Sequence, residues 1–257
     1  MQTLGGLDFN LESAKILKGV NALGFLSALS EWFQGVAFDF NQAFFEADRY
    51  LLYLEGLQVT IKVTIAAIIF GTILGILLAL MKISSVKILR FISIVYIDFI
   101  RGTPTVVQLL IAYMLIFTSP SASKTMVAIF AFGCNSAAYI AEIIRSGINS
   151  IDKGQHEAGR SLGLSKSRTM AYIIMPQAIR NILPTYANEF IVLVKETAIV
   201  GYIGLADLTK ISSIITSRTY EAFFPLIIIA LIYLAITTIL SKLFAAMERK
   251  LNEHDKR

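Results

Sequence analysis

The chain has 257 residues, 56% hydrophobic and only 16% charged, with a mean hydropathy of +0.68. Soluble domains carry about 25% charged residues; this one has too few to clothe a water-facing surface, which excludes a soluble globule and points to an integral membrane protein. The net charge of +5 does not indicate a nucleic-acid partner, because no recognition motif accompanies it and basic residues collect at the cytoplasmic ends of membrane spans.

In chain order, residues 1–10 lack basic side chains, and no cleavable signal peptide is expected there. Residues 14–32 place apolar side chains at helical spacing with Lys15, Lys18 and Glu31 among them. That pattern predicts an interfacial amphipathic helix, with an additional span as the alternative. Uncharged runs then mark the spans. The first lies between Lys62 and Lys82 and begins near Gly56; the second lies between Arg101 and Lys124; the third covers 125–141; the last lies between Glu221 and Lys242. Each is close to the roughly 20 residues that cross hydrocarbon as a helix. Their Val, Ile and Thr content would favour strands in water, but in a bilayer the backbone must satisfy its own hydrogen bonds, which favours helix. A further span over 177–197 carries Arg180, Asn181, Asn188, Glu189, Lys195 and Glu196. Lipid does not tolerate such a face, so these side chains are candidates for a transport path. A break at Gly102-Thr103-Pro104 predicts a kink in the second span, and Pro176 and Pro184 predict bends in the polar one.

Lys and Arg set the expected orientation. They gather after the first span (Lys82, Lys87, Arg90), between the third span and the polar span (Arg145, Lys153, Arg160, Lys166, Arg168) and in the tail, whereas the loop over 118–124 holds only Lys124. The expectation is an all-α integral membrane protein of about five spans, with the N-terminus outside and the C-terminus cytoplasmic. Cys134 stands alone and His156 and His254 lack ligand spacing, so no disulfide, metal site or intramembrane catalytic set is expected.

The segment over about 152–176 is polar inside an apolar chain. Asp152 with Gln155 three residues on predicts a capping box opening a helix over 153–162. Gly163 sits where that helix stops, in a position suited to a left-handed residue, and Ser165 caps a second helix running toward Pro176. Ala158 and Gly159 offer a smooth face for close packing by another protein, with Glu157 and Arg160 flanking it for charge-assisted bonds. The alternative is an ordinary amphipathic loop helix at the membrane surface.

Glu157-Ala158-Gly159, then Gly163, then Ile174-Met175-Pro176 resembles the "EAA" motif of ABC importer permeases, with Gly for the third small residue. Arg101-Gly102-Thr103-Pro104 with Gln108, Ala138-Tyr139 with Glu142, Arg145-Ser146-Gly147-Ile148, Asn188-Glu189-Phe190-Ile191, Lys195-Glu196-Thr197-Ala198 and Gly201-Tyr202-Ile203-Gly204 are similar to the polar amino acid uptake subfamily. The resemblance implies a type I permease domain over 38–257, a coupling helix, and an extension over 1–37 outside it. It also implies a second permease subunit, identical or similar, a cytoplasmic ABC ATPase gripped through Glu157, Ala158, Gly159 and Gly163, and an extracytoplasmic binding protein that delivers the amino acid. The expected location is a bacterial inner membrane. This chain is expected to hold no cofactor and to be no enzyme, ATP being used by the partner, in line with the lack of a Gly-x4-Gly-Lys-Ser/Thr phosphate loop. Substrate-path residues under this resemblance are Glu189, Glu196, Asn188, Arg101 and Gln108. Glu189 and Glu196 are seven residues apart, near one helix face, and two acids on a cavity would suit arginine, lysine or histidine; the competing reading pairs Glu196 with Lys195 or Arg101. A permease for another small solute, or a stand-alone channel or ion-coupled carrier, is the alternative; the docking block and the absence of an inverted repeat argue against the carrier.

Overall fold

A computed structural model describes the backbone of residues 6–119 and 121–253 and the side chains of residues 24–119 and 121–250. Every described element is helical: α1 (Gly6–Phe44), α2 (Arg49–Ile83), α3 (Lys87–Arg101), α4 (Thr105–Ile111), α5 (Lys124–Asn149), α6 (Lys153–Ser161), α7 (Lys166–Thr169), α8 (Met175–Glu196), α9 (Leu208–Thr219) and α10 (Phe223–Glu253). Short π turns over Ala112–Ile116 and Met170–Ile174 extend α4 and join α7 to α8, and a 3-10 segment, Thr197–Ile203, follows α8. Three helices are long and apolar enough to cross a membrane by themselves, within Glu46–Ile83, Lys124–Asn149 and Phe223–Lys250. The pair Lys87–Arg101 and Thr105–Ile116 adds a fourth crossing if counted as one broken span, bent by 107°. α8 has 22 residues, about 33 Å at 1.5 Å per residue, enough to cross but too polar to pass on hydropathy.

The centre of the molecule is the α2–α5 seam. Small residues let the two backbones touch: a Cβ on Gly71 would stand 2.9 Å from the Gly133 carbonyl oxygen, and one on Gly75 would stand 2.9 Å from Ile140 Cβ and 3.0 Å from the Ala137 carbonyl oxygen. In lipid no hydrophobic force drives helix against helix, so such close van der Waals contact is what holds them. Val63, Ala67, Val127, Ala128, Phe132 and Leu193 fill the largest buried cluster around this seam.

The second crossing departs from expectation. Its helix does not start at Arg101; α3 starts at Lys87 and ends at Arg101, and α4 then leaves at a steep angle. Lys87, Arg90 and Asp98 interrupt the uncharged run and hid α3 from a search by run length. The helical signal was Ser93, Ile97 and Ile100, all buried against α2 and α5 at helical spacing. Ser93 Oγ donates to the Leu78 carbonyl at 2.8 Å and Tyr96 OH to the Cys134 carbonyl at 2.9 Å. α9 was also unexpected; Asp207 caps it by accepting from the Thr209 and Lys210 N–H groups at 3.1 and 2.9 Å. α1 runs unbroken through positions 37 and 38, where the sequence suggested a division. Lys15 and Lys18 lie outside the residues whose side chains are described.

Candidate functional site

α5 and α8 wall a cavity of about 930 Å³, with the end of α3 and Glu248 of α10 completing it. Its charged lining comprises Arg101, Arg145 and Arg180 against Glu142, Glu189 and Glu248, a balance of three and three. Asn181 and Asn188 add neutral polar groups, and Pro184 interrupts α8 between them.

The firmest charge in this wall is Glu142, whose side chain is 16% exposed. Lys82 Nζ, reaching over from α2, donates to its Oε1, and Arg145 donates to its Oε2 through Nε at 3.1 Å and Nη2 at 2.9 Å. Arg101 Nη1 stands 4.0 Å from the same Oε2. Arg145 thus pairs with Glu142 one turn away on α5, and Lys82 joins α2 to α5 through the same carboxylate. A buried carboxylate is stable only when its oxygens are matched like this. Glu189 is anchored differently: it accepts from Ser136 Oγ of α5 at 3.1 Å while facing the cavity.

Three of the five sequence-designated path residues, Arg101, Asn188 and Glu189, meet in this cavity. Glu196 does not line it, and among the described residues no ion pair joins it to Lys195 or Arg101. The seven-residue spacing put the two acids near one face, but the cavity ends before the turn that bears Glu196. Gln108 also lies off the cavity. Its Nε2 donates to the carbonyls of Ile100 and Thr103 at 2.7 and 3.1 Å and to Thr103 Oγ1 at 2.8 Å, while its Oε1 accepts from Asn135 Nδ2 at 3.0 Å. Gln108 satisfies the carbonyls freed by the Gly102–Pro104 break, a need created by the bend itself.

The α6–α7 hairpin follows its sequence signals closely, with two corrections. Asp152 Oδ1 accepts from the Gly154 N–H at 2.6 Å, but Gln155 does not complete a capping box; its Oε1 accepts from Gln177 Nε2 at 3.4 Å. Gly163 has φ of +81°, and the Gly163 and Leu164 N–H groups bond back to the Arg160 and Gly159 carbonyls at 3.0 and 3.2 Å. That is the paired closure of a Schellman turn, and it needs a residue at home in the left-handed region. Ser165 Oγ then accepts from the Arg168 N–H at 3.3 Å. The second correction concerns Gly159, which is buried rather than presented to a partner: a Cβ there would stand 2.6 Å from Thr169 Cγ2 and 2.9 Å from Ile173 Cδ1. Its smallness lets α6 fold down on the next helix, leaving Glu157 and Ala158 exposed. Arg160 stays exposed, and its Nη1 donates to the Leu164 carbonyl and so braces the turn.

From Lys166 to Glu196 the chain is helical throughout, passing from α7 through the π turn into α8, with Pro176 in the first turn of α8. The hairpin is thus joined by one helical rod to the cavity residues Arg180, Asn181, Asn188 and Glu189. Asn181 Nδ2 donates to Ser150 Oγ at 2.8 Å, tying α8 to the residue that follows α5.

Comparison with known proteins agrees with this architecture. The family described as binding-protein-dependent transport system inner membrane component matches residues 71–253. The arginine transport system permease protein of Bacillus subtilis is 44% identical over 207 residues, 79% of this chain and 93% of that protein. A putative glutamine transport system permease protein of Rickettsia bellii is 40% identical over 208 residues, 79% and 94% of the two chains. Among solved structures, an amino acid ABC transporter with histidines is 48% identical with a TM-score of 0.75, over 78% of this chain and 94% of that one. An inward-facing methionine ABC transporter, 19% identical with a TM-score of 0.67 over 80% and 99%, shares the fold. The chain belongs to the family of inner-membrane components of binding-protein-dependent transport systems.

Proposed function

We propose that this chain is the permease subunit of an ATP-driven importer for polar amino acids, basic ones included. The observation that carries the reading is the continuous helix over 166–196: α6, which bears the exposed Glu157 and Ala158, packs on its start through Gly159, and it runs on to the cavity wall at Asn188 and Glu189. Displacement of the hairpin by a partner has a direct mechanical route to the polar cavity. Permease relatives for arginine and glutamine support an amino acid substrate. The balanced lining of three arginines and three glutamates suits a zwitterion.

In this reading Glu157 and Ala158 contact a separate ABC ATPase, while Gly159 and Gly163 shape the hairpin that bears them. ATP is bound and hydrolysed by that partner, and this chain holds no cofactor or ATPase site of its own. A second permease subunit closes the open side of the cavity, and an extracytoplasmic binding protein delivers the substrate. The chain is multi-pass in a bacterial inner membrane, N-terminus outside and C-terminus cytoplasmic, in keeping with the Lys and Arg distribution. The first part of α1, over 6–37, extends from the permease unit at the membrane interface.

Co-expression with an ABC ATPase subunit, purification of the complex and measurement of ATP hydrolysis with binding protein and amino acid test this directly. Co-purification, with hydrolysis stimulated by one class of amino acid, is expected. A chain that purifies alone and exchanges solute without ATP would instead be a carrier or channel.

A further inference from the structure

On the side of α8 opposite the polar cavity lies a concavity of a different kind. α2, α5 and α8 enclose a groove of about 300 Å³, walled by Leu80, Ile83, Ile144, Ile148, Ile179 and Ile182. Leu80 and Ile179 are exposed, so the groove stands open at the flank of the bundle. The polar side chains of its lining, Thr72 and Tyr186, are used up on each other. Tyr186 OH donates to Thr72 Oγ1 at 2.7 Å, and Thr72 Oγ1 donates in turn to the Ile68 carbonyl at 2.6 Å. The groove therefore gives water no partner. That bond marks its deep end. Thr72 stands eleven residues before Ile83, where α2 ends, and Tyr186 eleven residues after Met175, where α8 begins. Both walls are thus about 16 Å long, close to one leaflet, half of a hydrocarbon core about 30 Å thick.

At the other end the chemistry changes. Met175 also lines a second recess, of about 550 Å³, with Lys166, Ser167, Met170 and Ala171. Lys166 and Ser167 are exposed. Among the described residues the ion pairs engage Arg49, Lys82, Arg101 and Arg145, and Lys166 is in none of them. Arg90 Nη2 donates to the carbonyl of Ser84, the residue after Ile83, at 2.9 Å, which sets another cation at this end. A leaflet's depth of apolar wall followed by unpaired positive charge is the polarity profile of one anionic amphiphile. An extended peptide would bring backbone N–H and C=O groups that the groove leaves unbonded, and a groove of this volume and length is too narrow to take in a helix about 10 Å across. We propose that groove and recess form one site for an anionic glycerophospholipid of the leaflet on the hairpin's side, an acyl chain lying between α2 and α8 and the phosphate accepting from Lys166 Nζ and Ser167 Oγ. The site needs a membrane around the chain and does not rest on the importer reading. A lipid held there braces the start of the helix over 166–196 against α2.

The test uses the full chain purified in detergent and stripped of lipid, together with its ATPase subunit where the two co-purify. Native mass spectrometry measures binding of dioleoylphosphatidylglycerol, dioleoylphosphatidylcholine and glycerol phosphate. The phosphatidylglycerol is expected to bind about fivefold tighter than the phosphatidylcholine, the gain from one basic side chain at a membrane surface, and glycerol phosphate is expected not to bind. Lys166→Gln should bring the two lipids within twofold of each other, whereas Lys250→Gln, near the end of α10, should leave the preference as it is. Ile179→Trp, which fills the groove, should weaken both lipids at least fivefold. Equal affinity of the two lipids for the wild type would overturn the proposal; that arm needs no variant, so poor folding of Ile179→Trp does not shield it. Binding of glycerol phosphate would make the recess a site for a free anion instead. Loss of the preference in Lys250→Gln would reduce it to the charge of the whole chain. An Ile179→Trp chain that binds lipid as before but self-associates less would assign the groove to a second copy.

Discussion

The α2–α5 seam and the α6–α7 hairpin both depend on glycine, for opposite reasons. At Gly71 and Gly75 the conformation is ordinary helix and there is no space; at Gly163 nothing lies within 4 Å of an added Cβ, and the backbone is the obstacle. Gly159 is of the first kind, placed within the hairpin. Glycine in a membrane sequence therefore does not mark one physical need. In the seam it lets backbones touch where no solvent drives association; in the hairpin it permits a left-handed turn.

That contrast can be attacked at four points. The seam is also held by charge, and Glu142→Gln removes the group shared by Lys82 and Arg145. Lys82 is 16% exposed and Arg145 38%, so losing their shared counter-charge costs less than in a fully buried pair, about 3 kcal/mol; a fall in the detergent melting temperature is expected, and an unchanged value would mean that water already solvates the cluster. Gly75→Val forces branched atoms against Ile140 and the Ala137 carbonyl. About 3 kcal/mol of overpacking should follow, read as lost yield of monodisperse protein. Gly159→Leu meets the buried, β-branched Thr169 and the more flexible end of Ile173, so about 2 kcal/mol is expected. Its decisive readout is ATPase co-purification, which should fall further than thermal stability because α6 is lifted off its support. At Gly163 the sign of the substitution depends on the backbone alone: Gly163→Val should cost about 1–2 kcal/mol, whereas Gly163→Asn, whose side chain tolerates the left-handed region, should cost well under that. Equal effects of Val and Asn would place Gly163 with the crowded glycines and dissolve the contrast.

The hairpin was legible because its determinants are local. Asp152, Gly163 and Ser165 each act within a few residues, so spacing alone identified them. The long apolar helices were legible from run length. What escaped depended on contacts distant in sequence. α3 was hidden by Lys87, Arg90 and Asp98, although Ser93, Ile97 and Ile100 carried a helical period. Gln108 stood among the pathway residues through the family resemblance, whereas the carbonyls it satisfies are created by the fold. Gly159 read as a docking surface because a sequence cannot say which neighbour requires a small residue. For the same reason Lys82 was placed in a loop, and its partner Glu142, 60 positions away, came into view only in three dimensions.

The π turn over Met170–Ile174 joins the hairpin to α8. A π turn holds one residue more than the α turn it replaces, and each helical residue advances the chain by about 100° and 1.5 Å. In a regular α-helix that extra residue would swing the hairpin, and Glu157 with it, by about 100° about the α8 axis relative to Asn188 and Glu189. The wider turn takes the residue up locally instead, so the two ends keep their bearing on one another. The bulge acts as a slack link in a chain drive, taking up one surplus unit without changing the timing of either end.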